Sequence, residues 1–197
     1  METKKETKNY EVVQVLVTMG VTHRKKKKQQ QNYEVVQVIL YTKKHEEINM
    51  STYTQILYQI IFSTKNRDKV LIEENRSILF NYIWGILKKK KCHLYQINGI
   101  ENHIHILTHL HPTIALADLV KDIKVSTSSM IKDENIFPNF KAWQNGYGAF
   151  TYSIDAKINL VNYIKNQKEH HKKNSFVYEY KKILKEFQIE FDEKYLF

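Results

Sequence analysis

The run Asn102-His103-Ile104-His105-Ile106-Leu107 alternates imidazole and aliphatic side chains at the two-residue period of a β-strand. Extended, it puts His103 and His105 on one face and Ile104 and Ile106 on the other. A chain built on such a strand must cover the isoleucine face with a core. It must also find hydrogen-bond or metal partners for two neighbouring imidazoles. Side by side on a rigid strand, the two rings form a preorganised ligand pair. A strand bearing two hydrogen-bonded histidines is the plainer alternative, and the tripeptide alone leaves both open.

The patterning around this strand gives an architecture. Residues 53–62 read as a buried strand and Thr64-Lys65-Asn66-Arg67-Asp68 as a basic connection. Residues 71–91 read as a helix with Ile78, Leu79, Tyr82, Ile83 and Ile86 on its apolar stripe. Its terminal Lys88-Lys89-Lys90-Lys91 suits the negative end of the helix dipole. A strand over 93–97 meets a hairpin turn at Asn98-Gly99, and the central strand runs from His103 to His109. Residues 113–132 read as a second helix and the aromatic segment 140–152 as β-like. A third helix starts near Asp155 as N-cap and reaches Lys173, an amphipathic segment fills 175–187, and an aromatic tail closes the chain. The expected fold is α+β: a ferredoxin-like (RRM-like) split βαβ antiparallel sheet with helices on one face. An added C-terminal helix carries Tyr163. The other face is expected to stay open as a platform for nucleic acid.

Charge points the same way. The formal net charge is +10, which favours a polyanionic partner. Lys65 and Arg67 in the first connection, and Lys121 and Lys124 along the second helix, are the candidate DNA-binding cations. Cys92 is the only cysteine, which excludes an internal disulfide and a cysteine zinc site. No stretch has the apolar length of a membrane span and no signal peptide is visible, so the expected location is cytoplasmic. Residues 1–49 stand apart. They contain a duplication, Asn9-Tyr10-Glu11-Val12-Val13-Gln14-Val15 recurring as Asn32-Tyr33-Glu34-Val35-Val36-Gln37-Val38, around the basic block Arg24-Lys25-Lys26-Lys27-Lys28. They are read as an extension outside the native protein, upstream of a functional domain over 50–197.

On the third helix Tyr163 and Gln167 are four residues apart, so one helical face would offer a phenol and an amide together. A phenol becomes a nucleophile only beside a base or a metal, and an amide oxygen is a neutral ligand. Three blocks now stand in order: Asn102-His103-Ile104-His105, Trp143-Gln144-Asn145-Gly146-Tyr147-Gly148-Ala149-Phe150, and Tyr163-Ile164-Lys165-Asn166-Gln167-Lys168-Glu169-His170-His171. Over 50–197 they resemble the single-tyrosine transposases of the IS200/IS605 type, a branch of the HUH nuclease superfamily.

The resemblance implies that His103, His105 and Gln167 hold a divalent metal, Mg²⁺ or Mn²⁺. It implies that Tyr163 attacks single-stranded DNA and forms a 5′-phosphotyrosine intermediate. It implies DNA hairpins at element ends as substrates, and a homodimer whose tyrosine helix can complete the partner's site. His170 and His171 read as surface residues, with support of the metal ligands from behind as the alternative. Three other readings remain: a non-cleaving module that binds single-stranded DNA or RNA hairpins, a domesticated repeat-processing relative, and a zinc hydrolase using the His-x-His pair.

Overall fold

The computed structural model of the chain describes residues 53–196. The duplication, the basic block and the boundary ahead of residue 50 lie outside the described residues. Within them the order is β1 (Leu57–Ser63), α1 (Glu73–Lys89), β2 (His93–Ile100), β3 (His103–His109), α2 (Leu116–Asp133) and β4 (Gly148–Tyr152). Four further helices follow: α3 (Lys157–Lys165), α4 (Gln167–His171), α5 (Phe176–Glu186) and α6 (Glu193–Leu196). The strands form one antiparallel sheet in the order β2-β3-β1-β4. This is the split βαβ arrangement expected, with β3 spanning the residues assigned to it.

Alternation along β1 and β3 divides the core. Ile60, Phe62, Ile104 and Ile106 face α1 and α2 and join Leu79, Ile83, Leu87, Leu119 and Ile123 in the main cluster. The buried stripe of α1 is Arg76, Leu79, Phe80, Ile83 and Leu87. Ile78 and Tyr82, expected on it, are exposed; Phe80 and Leu87 take their places, because the helix is rotated about its axis. On the other face Leu57 and Leu107 pack under Leu160 and Ile164 of α3. Beside them Ile61 and Phe150 pack under Phe176, Ile183 and Leu184 of α5. The face expected to remain open is therefore covered by the C-terminal helices. An amphipathic segment such as 176–186 buries its apolar stripe on the nearest apolar sheet.

Two local departures position the site. The turn between β2 and β3 falls at Glu101-Asn102, not at Asn98-Gly99, which lie within β2. Gly99 is needed there for close approach: a Cβ would collide with the His103 carbonyl oxygen. The third helix is also broken. Asn98 Nδ2 donates to the carbonyls of Ile164 and Lys165 at 3.0 and 2.8 Å. Those are carbonyls of the last turn of α3, so Asn98 ends the helix from the side. Asn166 lies at the break, and α4 restarts at Gln167. Asp155 makes no capping bond and sits in a 3-10 turn ahead of α3.

Candidate active site

His103 and His105 point from β3 toward the C-terminal helices and are fully buried. Opposite them on β1 are Ser63 and Ile61, small or apolar neighbours that leave the rings free to face across the sheet. Phe176 of α5 stacks on His103 with ring centroids 4.1 Å apart. Tyr163, at the end of α3, lies edge-on to His105 at 6.1 Å between centroids. Gln167, first residue of α4, is fully buried. The broken helix thus still brings the phenol and the amide to one place, although they do not share a continuous helical face.

They meet on a residue that sequence reasoning passed over. Glu179 of α5 is 3% exposed. Its Oε1 accepts from the Tyr163 hydroxyl and, at 3.1 Å, from Gln167 Nε2. Its Oε2 stands 3.6 Å from both His103 Nε2 and His105 Nε2 and 3.1 Å from His171 Nε2. His171, read from the sequence as a surface residue, has its ring in the cluster and shares its Nε2 with Gln167 Oε1 at 2.9 Å. His170 is partly exposed, with its ring 5.2 Å from Tyr163. A signal for Glu179 was present in the sequence. It falls on the apolar stripe of an amphipathic helix, with Phe176, Tyr180 and Ile183 at helical spacing, where an acid is rarely buried without a partner.

The outer nitrogens set the inner ones. His103 Nδ1 is 2.8 Å from Asn102 Oδ1, and His171 Nδ1 is 2.8 Å from the Asn174 carbonyl. Both partners are acceptors, so each Nδ1 carries hydrogen. The neutral His103 ring then turns an Nε2 lone pair inward, whereas His171 Nε2 faces only acceptors, Gln167 Oε1 and Glu179 Oε2, and carries a hydrogen shared with Gln167 Oε1. His105 Nδ1 meets the Gln59 amide at 3.0 Å, and that amide also takes the Tyr152 hydroxyl at 2.8 Å. Turning this amide end for end gives His105 the same tautomer as His103.

Burial, reinforced by His105, holds His103 well below its ordinary pKa and keeps it neutral. For Glu179, burial favours the acid form, but contacts with His105 and His171 outweigh it and keep the carboxyl ionised. Burial opposes charge on His171 too; Glu179 and the Asn174 carbonyl reverse this and raise its pKa. Burial, and then the charge of Glu179, push the Tyr163 phenol far above its ordinary value.

His103 Nε2, His105 Nε2 and Glu179 Oε2 are buried and make no hydrogen bond. Two imidazole nitrogens and a carboxylate oxygen converging on one space are a donor set that fits a cation. The donor atoms of His103, His105, His171 and Glu179 all lie within 4.8 Å of one another. The site therefore has the donors to hold a metal ion.

The candidate DNA-contacting cations lie elsewhere. Lys65 and Arg67 occupy a 3-10 turn just beyond Ser63, the partner of His103. Lys121 is exposed on α2. Lys124 is half-buried: its ammonium donates to the carbonyls of Gln144 and Gly146 at 2.5 and 2.8 Å. It thereby anchors the 144–146 segment, itself held to β1 by the Gln144 backbone N–H donating to the Ser63 carbonyl at 2.8 Å. Among the described residues no helix is long and apolar enough to cross a membrane.

Two solved structures are similar to this chain. One is a candidate transposase from Deinococcus radiodurans R1, at 23% identity and a TM-score of 0.47, covering 60% of this chain and 95% of its own. The other is a REP-associated tyrosine transposase bound to a REP hairpin, at 16% identity and a TM-score of 0.48, covering 62% of this chain and 74% of its own. No curated protein matches. A family model described as transposase IS200 like matches residues 52–167, more than half of the sequence and all of it from β1 to Gln167, so the chain belongs to the IS200-like transposase family.

Proposed function

We propose that the chain cleaves and rejoins single-stranded DNA, with Tyr163 as nucleophile and a divalent cation at His103, His105 and Gln167. The observation that carries this reading is the convergence of the Tyr163 hydroxyl, the Gln167 amide and both strand imidazoles on the single Glu179 carboxylate. Sheet and helix deliver a phenol and a cation-binding set to one anion-sized space, as in-line attack on a phosphate requires.

In cleavage the Tyr163 oxygen bonds to phosphorus and loses its proton. The bond from phosphorus to the 3′ oxygen breaks, and that oxygen leaves as a hydroxyl once protonated. The product is a 5′-phosphotyrosine. Attack by a 3′-OH reverses these changes, reseals the strand and frees Tyr163, so no nucleotide cofactor is needed. A bound divalent cation supplies charge neutralisation of the phosphate. The rest falls to this chain's residues. Asn102 and Gln59 fix the two rings, α3 and the Asn98 cap fix the phenol, and Phe176 shields His103 from water. A site with several imidazoles suits Mn²⁺ better than Mg²⁺, which prefers oxygen ligands. Hairpin DNA is the proposed substrate, and the chain's net charge supports a nucleic-acid partner. Tyr163 faces His105 of its own chain, which supports attack within one chain, and a homodimer remains part of the proposal.

Incubation with labelled single-stranded hairpin DNA and Mn²⁺ should give a covalent protein–DNA adduct that survives denaturation. Tyr163→Phe should lower adduct formation by at least roughly a thousandfold while hairpin binding persists. Undiminished adduct in that variant would sink the assignment, and no adduct from the unaltered chain would favour a binding module.

A further inference from the structure

The two oxygens of Glu179 divide the site between them. Oε1 takes the Tyr163 hydroxyl and the Gln167 amide, while Oε2 faces the three imidazoles at 3.1 to 3.6 Å. A phosphodiester attacked by Tyr163 has to make the same division. Its phosphorus must come within reach of the phenol, and an oxygen must turn toward the cation-binding nitrogens. Two anions cannot share that space.

We propose that Glu179 is an internal stand-in for the scissile phosphate: α5 plugs the site, and single-stranded DNA must displace the Glu179 carboxylate before Tyr163 can reach phosphorus. This rests on the nuclease reading above and adds a level of regulation to it.

Three observations support the plug. Glu179 is nearly inaccessible, and the contacts that hold its carboxylate are all with residues of the site: Tyr163, Gln167, His103, His105, His170 and His171. An acid serving only the stability of α5 would turn to solvent, as Glu186 does, instead of crossing its helix's apolar stripe. The plug is also separable from the machinery it closes. The family match ends at Gln167, and Glu179 follows on a helix joined to α4 by the short polar link Lys172-Lys173-Asn174-Ser175. Finally, a cavity of about 320 Å³ adjoins Glu179 between Tyr163, Tyr152 and Lys182. It gives the carboxylate somewhere to swing and gives an incoming strand a route to the phenol that passes a lysine.

A base that takes the phenol proton would occupy the same position, but it makes the opposite demand. Removing a plug speeds the reaction and tightens DNA binding; removing a base slows the reaction and leaves binding alone.

The test uses the full chain and a single-stranded hairpin oligonucleotide at saturating Mn²⁺, comparing the unaltered protein with Glu179→Ala and the isosteric Glu179→Gln. The plug requires oligonucleotide affinity at least tenfold tighter for Glu179→Ala, a smaller gain for Glu179→Gln, and faster covalent adduct formation in both. Unchanged or weaker binding in a folded Glu179→Gln overturns it, and so does a slower adduct rate with unchanged binding, the signature of a base. Circular dichroism identifies a variant that fails to fold, and the isosteric change guards against that outcome. If no protein, including the unaltered one, forms an adduct, the nuclease reading falls, whereas the binding comparison still decides the plug.

Discussion

The two faces of the sheet are made by the same strands and behave as different materials. Toward α1 and α2 the strands place Ile60, Phe62, Ile104 and Ile106 in the main apolar cluster, and the one buried polar residue of β3 on that side, Thr108, is satisfied by the His93 carbonyl at 2.8 Å. Toward α3, α4 and α5 the strands place Gln59, His103 and His105 among Leu57, Ile61 and Leu107. Each of those polar groups is as buried as the isoleucines behind it. The first face gains stability from apolar area, about 1.5–3 kcal/mol for each large side chain fully buried. The second carries buried nitrogens and a carboxylate oxygen without hydrogen bonds, which cost stability. A protein keeps such groups where a ligand, not the fold, satisfies them. One side holds the sheet together, and the other uses its rigidity to aim ligands.

Neighbouring residues of β3 can break this contrast. Ile106→Ala should lower unfolding stability by about 2–5 kcal/mol, as a fully buried truncation on the core face. His105→Ala should cost less, about 1–3 kcal/mol, the cost of leaving the buried Gln59 amide without its His105 partner. It should also abolish Mn²⁺ binding measured by titration calorimetry. If denaturation shows the two variants equally destabilised, the second face is core as well and the contrast fails.

How much of this was legible in the sequence follows the same division. The core face was readable because period-two alternation and helical stripes are local. β3 came out at its observed bounds, and α1 was placed within two residues at each end. The stripe of α1 came out rotated, since Ile78 and Tyr82 fit the periodicity as well as Phe80 and Leu87 do; only the partner helix selects between them. On the ligand face the residues within the recognisable blocks were found, and those beyond them were not. Asn98 looked like a turn because Asn-Gly favours turns. Its real role, capping α3 from another strand, is a contact between residues more than sixty positions apart. Glu179 and His171 likewise acquire meaning only when α5 folds back over the sheet. A one-dimensional pattern records which residues share a face, not which faces meet.

A smaller effect should come from outside the cluster. Asn102 touches no part of the reacting centre, yet its Oδ1 fixes the His103 ring. Asn102→Ala should weaken Mn²⁺ affinity by about 10–100-fold, the usual consequence of losing a group that orients a ligand, and change stability little. An unchanged titration would mean that Phe176 alone holds the His103 ring, and the outer hydrogen bonds would lose their place in the division of labour.

The smallest effect separates cations that bind DNA from cations that hold the fold. Lys65 and Arg67 lie in a turn leading directly from the His103 partner Ser63, so a strand entering the site would pass them. Each phosphate contact on single-stranded DNA contributes about 0.7 to the slope of log affinity against log salt. Lys65→Ala and Arg67→Ala should therefore each reduce that slope by about 0.7. Lys124→Ala should instead leave the slope unaltered and lower stability. Its ammonium already holds the carbonyls of Gln144 and Gly146, and a charged hydrogen bond at a half-buried site contributes about 1.5–3 kcal/mol. Loss of stability with an unaltered salt slope would mark Lys124 as a strut of the 144–146 segment. A changed slope would instead carry the DNA path across α2, past Lys121, and away from the turn at Lys65.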